Sequence, residues 1–500
     1  MHNLKQAHMN FYWEDITALL VYRPESPMLF NSGIFLNLFT LFAIVYALLY
    51  QNVRARIVYV LAFSLYFYYK SSGIYLLNLL FCIEFNYHLG RWLGASQNPA
   101  PALWRRWGLA GGIVLNTSFL VYFKYTNFLL ANLNYLMAGN FARLDIFLPI
   151  GISFYTFQTI SYLVDVHRGQ IAPCQSRWDF AFYLSFFPQL VAGPIVRASD
   201  FLPQIHQKII FRREDMSDGL FMVLKGLFKK AVIADYVAQY VDLVFQNPSG
   251  YSGFENLMAV YAYTLQIYCD FSGYSDMAIG LALILGFRLS ENFRSPYLAA
   301  DITDFWRRWH ISLSTWLRDY IYIPLGGNRR GVERQYLYLM LTMLIGGLWH
   351  GADWKFVFWG GMHGLGLIVH KIFRETAREM EWNEALLRPL GWVITFHFVA
   401  FLWIFFRADS YGTAGTVIGK IVFDTNWAYF TPFLQTRGLL VGMLGLGYGI
   451  HFLNEMHKQH LRVYFNTLPV LAKSAVLVLI IQIILQVQSE NVQPFIYFQF

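Results

Sequence analysis

Charged residues are scarce in this 500-residue chain, and their scarcity argues against a water-soluble fold. Asp, Glu, Lys and Arg make up 14% of the residues, against roughly 25% in soluble domains. Hydrophobic residues reach 56%, aromatic residues 19%, and the mean hydropathy is +0.39. There is too little charged surface to cover a globule of this size in water, so we expect an all-α polytopic membrane protein.

Cysteine is also scarce. Cys82, Cys174 and Cys269 are odd in number, widely spaced and placed in or beside apolar runs, which excludes a disulfide framework or a zinc ribbon. We expect all three to be packing residues.

Residues 1–25 differ from the rest of the chain. They mix acidic, basic and polar residues and lack the basic-then-apolar layout of a cleaved signal. We interpret them as a polar N-terminal extension and expect the first apolar run to remain as a membrane anchor. Residues 26–500 show no internal repeat or linker, which favours a single integral-membrane domain and gives no support to inverted-repeat transporter architecture.

Uncharged apolar stretches recur along the whole chain. They are Ser26–Val53, Ile57–Tyr69, Ser71–Ile83, Gly108–Phe123, Ile146–Val164, Phe180–Val196, Asn256–Cys269, Tyr336–Ala352, Phe356–His370, Pro389–Phe406, Gly438–Asn454 and Ser474–Ser489. A helix needs ~20 apolar residues to cross the hydrocarbon core, and ~10–14 favour a re-entrant or interfacial segment. We expect about eleven transmembrane helices plus re-entrant or interfacial helices. Runs interrupted by Pro or Gly are expected around an internal cavity, because irregular backbone is not tolerated against lipid.

Basic residues outnumber acidic residues, 38 to 30. Such an excess is typical of cytoplasmic loops that face anionic lipid and does not imply nucleic acid. The clusters that we place on the cytoplasmic side are Arg54/Arg56, Arg105/Arg106, Arg212/Arg213, Lys229/Lys230, Arg307/Arg308 and Arg329/Arg330/Arg334. Because the first of these follows the first apolar run, the N-terminus is expected outside.

The first informative window is Glu291–Gly327, which places charged side chains among aromatic ones. Its charged and titratable residues include Asp301, Asp304, Arg307, Arg308, His310, Arg318 and Asp319. One interpretation is an interfacial or re-entrant helix whose arginines reach water or a phosphate-bearing ligand. The other is a positive-inside loop with aromatic anchors, and both stay open.

The second window is Gly346–Gly364, where His350 lies near the end of an uncharged run. A polar group inside a membrane bundle is costly and suggests function, although histidine also serves as hydrogen-bonding glue between helices. The glycines around His350 allow close backbone approach and a local break at which a ligand could reach the imidazole. Neutral imidazole near pH 7 is a suitable general base.

Two other chemistries are disfavoured. His350, His363 and His370 lack the spacing of a helical zinc pair and have no thiol or Glu-rich cluster beside them, and no G-x-S-x-G nucleophile elbow is present. Base chemistry remains. His363 could share a cavity with His350 but is more typical of a packing histidine.

The third window is Tyr268–Gly280, with Asp270, Ser272, Ser275 and Asp276 in an apolar region. The acids need partners at that depth, either across helices or from an arginine of the neighbouring window. These residues could still shape a cavity.

Together the three windows resemble the membrane-bound O-acyltransferase family, in particular its bacterial alginate O-acetylation branch, which is related to the D-alanyl transferase of teichoic acids. The resemblance is carried by four blocks: DFSGYSD at Asp270–Asp276, NFRSPY at Asn292–Tyr297, FWRRWHISLSTWLRDYIYIPLGG at Phe305–Gly327 and GLWHGADWKFVFWGGMHG at Gly347–Gly364. Flanking stretches resemble that branch too, so the similarity covers nearly the whole chain outside the first ~25 residues.

The resemblance implies a multi-helix membrane enzyme that moves an acyl group from a cytoplasmic thioester to a hydroxyl. His350 corresponds to the buried histidine of the family, at the bottom of a central funnel or tunnel, where it removes the proton of the attacking hydroxyl. His310 corresponds to the second signature histidine and would orient the donor or the backbone near the cytoplasmic mouth. We expect three arginines to meet donor phosphates, namely Arg307, Arg308 and Arg318. The residues expected to line the cavity are Asp270, Ser272, Asp276, Asn292, Trp349 and His363.

The resemblance also implies partners and a location. No permanently bound cofactor is expected. The donor would be acyl-coenzyme A, most simply acetyl-coenzyme A, or an acyl-phosphopantetheine carrier. The acceptor would be a polysaccharide, reached through an extracytoplasmic partner with an SGNH-like domain, and the chain would be a multi-pass protein of the bacterial inner membrane.

Two alternatives differ in class or substrate. In one, the histidines and acids form the proton relay of a transporter or flippase. In the other, the enzyme belongs to the same family but acylates a lipid or a protein.

Overall fold

The computed structural model describes residues 21–24, 27–94, 101–191 and 193–487. Within these ranges the chain is helical and contains no strand, so the prediction of an all-α fold is confirmed. The predicted N-terminal extension lies almost entirely outside the described residues.

The helices are numbered in chain order. They are α1 (Gly33–Leu49), α2 (Val53–Ser72), α3 (Leu76–Gly94), α4 (Ala102–Leu120), α5 (Thr126–Met137), α6 (Ile152–His167), α7 (Arg177–Ser185), α8 (Phe187–Leu190), α9 (Ala198–Ile205), α10 (Arg213–Leu227), α11 (Asp235–Gln246), α12 (Gly253–Ile284), α13 (Ile302–Arg308), α14 (Ile311–Leu317), α15 (Ile323–Leu325), α16 (Val332–His350), α17 (Trp354–Glu379), α18 (Glu384–Arg407), α19 (Tyr411–Phe423), α20 (Phe430–Thr436), α21 (Gly438–Phe452), α22 (Glu455–Thr467) and α23 (Val470–Val487).

The described residues form two compact units. The first contains residues up to Phe123, Leu144–Val191 and Val196–Ile210. The second contains Lys124–Arg143, Ala192–Ile195 and the chain from Phe211 onward. The expectation of one domain over residues 26–500 stays a prediction.

Buried polar pairs stabilise the first unit. The amides of Asn86 and Asn116 donate to each other at 2.9 and 2.8 Å, and the hydroxyl of Thr159 donates to Asn116 Oδ1 at 3.2 Å. Because both amides are buried, each needs such a partner. The pair thereby sets how α3 and α4 face each other.

The second unit is organised around α12. Its N-terminus carries a reciprocal cap, in which the Ser252 hydroxyl accepts from the Glu255 amide and the Glu255 carboxylate accepts from the Ser252 amide. Its contact with α10 relies on glycines: a Cβ at Gly226 would lie 2.5 Å from the carbonyl oxygen of Gly273. This backbone contact brings polar side chains of the two helices within reach of each other.

Within the described ranges, three π-helical segments interrupt the helices, at Val121–Tyr125, Phe228–Ala234 and Arg318–Tyr322. Such segments are rare in proteins, and those that occur are often found at functional sites. The Glu291–Gly327 window is accordingly neither one helix nor a plain loop, but a chain of short helical pieces with a turn at His310.

Three described helical segments are both long and apolar enough to cross a bilayer: Trp354–Glu379, Leu387–Arg407 and Val470–Val487. In the last of these only 6% of the apolar window is buried inside the protein, as expected of a surface that meets lipid rather than water. These segments support a membrane protein, while the expectation of about eleven spans around a funnel stays a prediction.

All three cysteines are buried and free. All three lie in the protein interior, so the prediction that they are packing residues is confirmed.

Candidate active site

His350 is the last residue of α16 and is 2% exposed. Gly351 follows in an extended conformation and ends the helix. The imidazole lies among aromatic rings, with centroid distances of 5.0 Å to Trp349, 5.0 Å to Trp359 and 5.5 Å to Phe406. A titratable ring held at a helix end among aromatic groups is shielded from bulk water, as a base acting on a reactive thioester requires.

Side chains from the Val121–Tyr125 segment hold the C-terminal end of α16. Lys124 Nζ donates to the carbonyl oxygens of Trp349 and His350 at 2.7 and 2.8 Å. The Tyr125 hydroxyl donates to the carbonyl oxygen of Leu348 at 2.7 Å. The last carbonyls of a helix have no partner within the helix and carry its negative dipole end, so a lysine there is favourable. Sequence reasoning missed both residues, although a lone lysine directly after the uncharged run Gly108–Phe123 is a signal.

Glycines allow α16 and α17 to approach closely beside His350. A Cβ at Gly347 would lie 2.3 Å from the carbonyl oxygen of Phe356 and 2.9 Å from the Cα of Gly360. At Gly351 it would lie 2.0 Å from the Phe356 ring. The expected close approach is therefore confirmed, and it brings Trp359 of α17 against the imidazole.

His310 lies between α13 and α14 in a left-handed conformation with φ of 43°. Its side chain is fully buried, and the ring packs edge-on against Phe271 at 4.7 Å. Left-handed backbone is unfavourable for a residue with a Cβ and is retained only where the surroundings stabilise it. The chain therefore reverses at His310 and places its imidazole in the interior.

Asn292 provides much of that stabilisation. Its Oδ1 accepts from His310 Nδ1 at 3.1 Å and from the amide and hydroxyl of Ser312 at 3.2 and 2.9 Å. Its Nδ2 donates to Ser275 Oγ at 3.1 Å. Because Oδ1 can only accept, the proton of neutral His310 lies on Nδ1 and the lone pair on Nε2.

The two histidines of the predicted site lie against the same tryptophan. The ring centroid of Trp349 is 6.0 Å from that of His310 and 5.0 Å from that of His350. The fold thus brings together windows that are 40 residues apart, and the third window contributes Phe271 and Ser275.

His363 has a different environment. Its ring lies 4.5 Å from Trp359, 5.0 Å from Trp306 and stacks on Phe305 at 6.1 Å. Within the described ranges neither ring nitrogen has a hydrogen-bond partner. This aromatic enclosure fits the interpretation of a packing histidine.

The acids of the third window pair with lysines. Lys230 Nζ lies 2.6 Å from Asp270, and Lys225 and Lys229 lie 2.9 and 2.8 Å from Asp276. Partners across helices are therefore confirmed, whereas the alternative of an arginine from the neighbouring window is wrong. The reason is the glycine contact between α10 and α12, which places lysines of the α10 side beside both acids.

Lys230 is 1% exposed within this cluster, and it also binds Asp235. It is thus part of the interior, and not of a solvated cytoplasmic loop as the basic-cluster pattern suggested. Ser272 accepts from Lys229 at 3.1 Å. Asp276 and Asn292 both line a cavity of about 660 Å³.

Two of the three predicted phosphate-binding arginines already have carboxylate partners. Arg308 Nε lies 2.9 Å from Asp304, and Arg318 Nε lies 2.6 Å from Asp319. Arg307 is exposed at the end of α13. That these arginines meet donor phosphates stays a prediction.

Comparison with known proteins matches residues 175–407 to the model of the membrane-bound O-acyltransferase family. The match includes His310 and His350 and all three windows. It ends at Arg407, the last residue of α18.

Individual relatives cover most of the chain. A protein named probable alginate O-acetylase from Pseudomonas putida is 36% identical over 499 residues, which are 95% of this chain and 100% of that protein. A peptidoglycan O-acetyltransferase from Helicobacter pylori is 40% identical over 385 residues, 72% of each chain. A teichoic acid D-alanyltransferase from Bacillus subtilis is 28% identical over 277 residues, 52% of this chain and 69% of that protein.

Proposed function

This chain belongs to the membrane-bound O-acyltransferase family, and from that premise we propose that it acylates a hydroxyl with an acyl group taken from a cytoplasmic thioester. The acyl group is acetyl in the simplest case. The product serves the O-acylation of an extracytoplasmic polysaccharide, in keeping with the alginate and peptidoglycan named for its relatives. The protein acts as a multi-pass enzyme of the bacterial inner membrane.

His350 is the general base of the proposed reaction. Its imidazole takes the proton from the acceptor hydroxyl as the oxygen attacks the thioester carbonyl. The carbon–sulfur bond then breaks, the ester forms, and the proton passes to the leaving thiolate. A base of this kind contributes typically ~10²–10⁴-fold to the rate. The single observation that carries the proposal is the position of His350, buried at the end of α16 beside the same tryptophan as His310.

His310 supports the reaction as a polar group next to that base. With its proton held on Nδ1 by Asn292, its Nε2 is an acceptor for a hydrogen bond from the acceptor hydroxyl or from the donor. The buried surroundings strengthen any such bond.

The acyl group reaches the polymer through an accessory protein. We propose an extracytoplasmic partner with an SGNH-like domain whose serine accepts it. The donor is acetyl-coenzyme A or an acyl-phosphopantetheine carrier.

The proposal is tested by transfer of radiolabelled acetyl from acetyl-coenzyme A in membranes, with and without the partner protein. Wild type should label a partner serine or the polymer, and His350→Ala should abolish the label while its expression and Tm stay near wild type. His460→Ala removes an exposed histidine of α22 and is the matched control. A large drop in Tm for His350→Ala would instead indicate that His350 has a structural role, as a hydrogen-bonding contact between helices.

A further inference from the structure

A cavity of about 660 Å³ lies in the second unit, bordered by α10, α12, the segment before α13, and α21 and α22. Its volume is within the range of ligand sites, ~300–1,000 Å³. The basic side chains on its walls outnumber the acidic ones, which are Asp276, Glu291 and Glu455. The basic residues are Lys225, Lys229, Arg288, Arg294, Lys458 and Arg462. We name this cavity the lysine pocket.

The positive charge of the pocket is not fully compensated. Lys225 lies 2.9 Å from one oxygen of Asp276 and Lys229 lies 2.8 Å from the other, so two ammonium groups share one carboxylate. The side chains of Lys229 and Asp276 are only 14% and 13% exposed. The Lys225 side chain is 38% exposed and therefore accessible to a ligand. A bound anion there would balance the excess charge of the pair of lysines.

Helices α21 and α22 contribute a compensated pair and a buried donor to the lining of the pocket. Burial raises the pKa of the Glu455 carboxyl, but hydrogen bonds from Ser295 and Lys458 outweigh it and hold the pKa below its usual value. Glu455 is therefore ionised and neutralises Lys458.

His451 is the buried donor. The amide of Tyr297 donates to its Nε2 at 3.1 Å, which leaves the ring proton on Nδ1. Among the described residues that Nδ1 has no hydrogen-bond partner, and the side chain is 2% exposed. A buried donor of this kind on a cavity wall favours an acceptor-rich ligand.

The pocket adjoins the candidate active site through two consecutive residues. Asn292 lines the pocket and also binds His310. Phe293 lines it as well, and its ring centroid lies 6.3 Å from that of His310. A ligand whose charged end rests near Lys225 can thus reach Asn292, the residue that binds His310.

We propose that the lysine pocket binds the phosphate groups of the thioester donor, with Lys225 and Lys229 as its anion-binding residues. The inference rests on the proposed function, because it assigns the donor of that reaction. Phosphate is also present on lipid headgroups, so the test separates the two sources.

Binding is measured first, with purified protein in phosphatidylcholine nanodiscs. The probes are acetyl-coenzyme A and S-acetylpantetheine, which carries the same thioester without phosphate. Wild type should bind acetyl-coenzyme A more tightly. Lys225→Gln should weaken that binding roughly tenfold or more, as expected for one hydrogen bond between charged groups, and leave S-acetylpantetheine unchanged. The Lys229–Asp276 pair remains in this variant and preserves the fold.

Two further variants complete the set. Lys225→Arg keeps the charge and should keep the binding. Lys420→Gln removes a lysine of α19 that is paired with Asp424 and lies outside the pocket, and this variant should match wild type. Equal affinity of wild type for both probes, or unchanged binding in Lys225→Gln, would overturn the proposal. The proposal would also be overturned if Arg307→Gln lost acetyl-coenzyme A binding while Lys225→Gln bound it as wild type does.

A lipid arm identifies the other source. In this arm, wild type and Lys225→Gln are compared for binding of phosphatidylglycerol from mixed nanodiscs. If binding of this lipid depends on Lys225 and wild type binds no acetyl-coenzyme A, the pocket is a headgroup site and the donor assignment is wrong. The proposed function is judged separately by acetyl transfer. Donor binding that depends on Lys225 without transfer to any acceptor supports the pocket and contradicts the function.

Discussion

Asn292 shows how a single uncharged side chain can organise a site built from distant parts of the sequence. Its oxygen accepts from His310 and Ser312, and its nitrogen donates to Ser275. These partners come from two of the three windows. The sequence places Asn292 near a cavity, but only the structure shows that it sets the tautomer of His310.

At this scale we predict that Asn292→Ala lowers kcat by ~10²-fold, the typical cost of a small misplacement of a reacting group. KM for the donor should change less than kcat, since the larger loss concerns positioning. Acetyl transfer at several donor concentrations measures both constants. Ser312→Ala removes only one of the partners and should lose less. Equal losses in the two variants would contradict a role in orienting His310.

The two arginines with carboxylate partners give a second prediction. Because Arg308 and Arg318 are bound to Asp304 and Asp319, their replacement by Gln should change donor affinity less than Lys225→Gln does. Binding of acetyl-coenzyme A at two salt concentrations measures this, since contacts with phosphate weaken as salt increases. A salt-sensitive loss of acetyl-coenzyme A affinity in the arginine variants, with none in Lys225→Gln, would support the prediction from sequence that these arginines bind the donor phosphates.

At the scale of elements, α16 is held at its end from outside the helix. Lys124 and Tyr125 supply the donors that the last carbonyls of α16 lack. The π-helical turn shifts the side-chain register of the chain there, which explains why neither residue was found from helical periodicity.

We therefore predict that Lys124→Met lowers the free energy of unfolding by about 1–3 kcal/mol, the cost of leaving a buried acceptor without a donor. Activity should fall as well, because the end of α16 carries His350. Thermal unfolding in detergent together with acetyl transfer gives both values. Lys124→Arg should restore part of each. An unchanged Tm in Lys124→Met would show that α16 does not need this contact.

The crossing of α16 and α17 gives an element-scale prediction with a matched control. A Cβ at Gly347 meets backbone atoms of α17 below 3 Å, so Gly347→Ala must separate the helices and should lower both Tm and activity. Gly445 lies in α21 with open space around it, and Gly445→Ala should leave Tm equal or raise it. Similar effects of the two substitutions would contradict the close crossing.

At the scale of the whole molecule, the exposed apolar helices determine where the protein resides. The segment Val470–Val487 and the two other candidate spans present apolar side chains that no other part of the described chain covers. In water, exposure of this apolar surface would cause the protein to aggregate, whereas in a bilayer the same surface contacts lipid chains. We predict that the protein stays in the membrane fraction after alkaline carbonate extraction and is released by detergent. Release by carbonate alone would contradict integral insertion.

The sequence by itself determined the class of this protein. Low charge and recurrent apolar runs excluded a soluble fold, and four blocks of motif identified the family and both histidines, because these features depend on residue type and spacing alone. The tertiary structure decided the partners: lysines rather than arginines beside Asp270 and Asp276, Lys124 at the end of α16, and Asn292 at His310. Contacts of this kind join residues far apart in the chain, and glycine crossings, π-helical turns and a left-handed residue determine which side chains meet. None of these can be derived from local sequence periodicity.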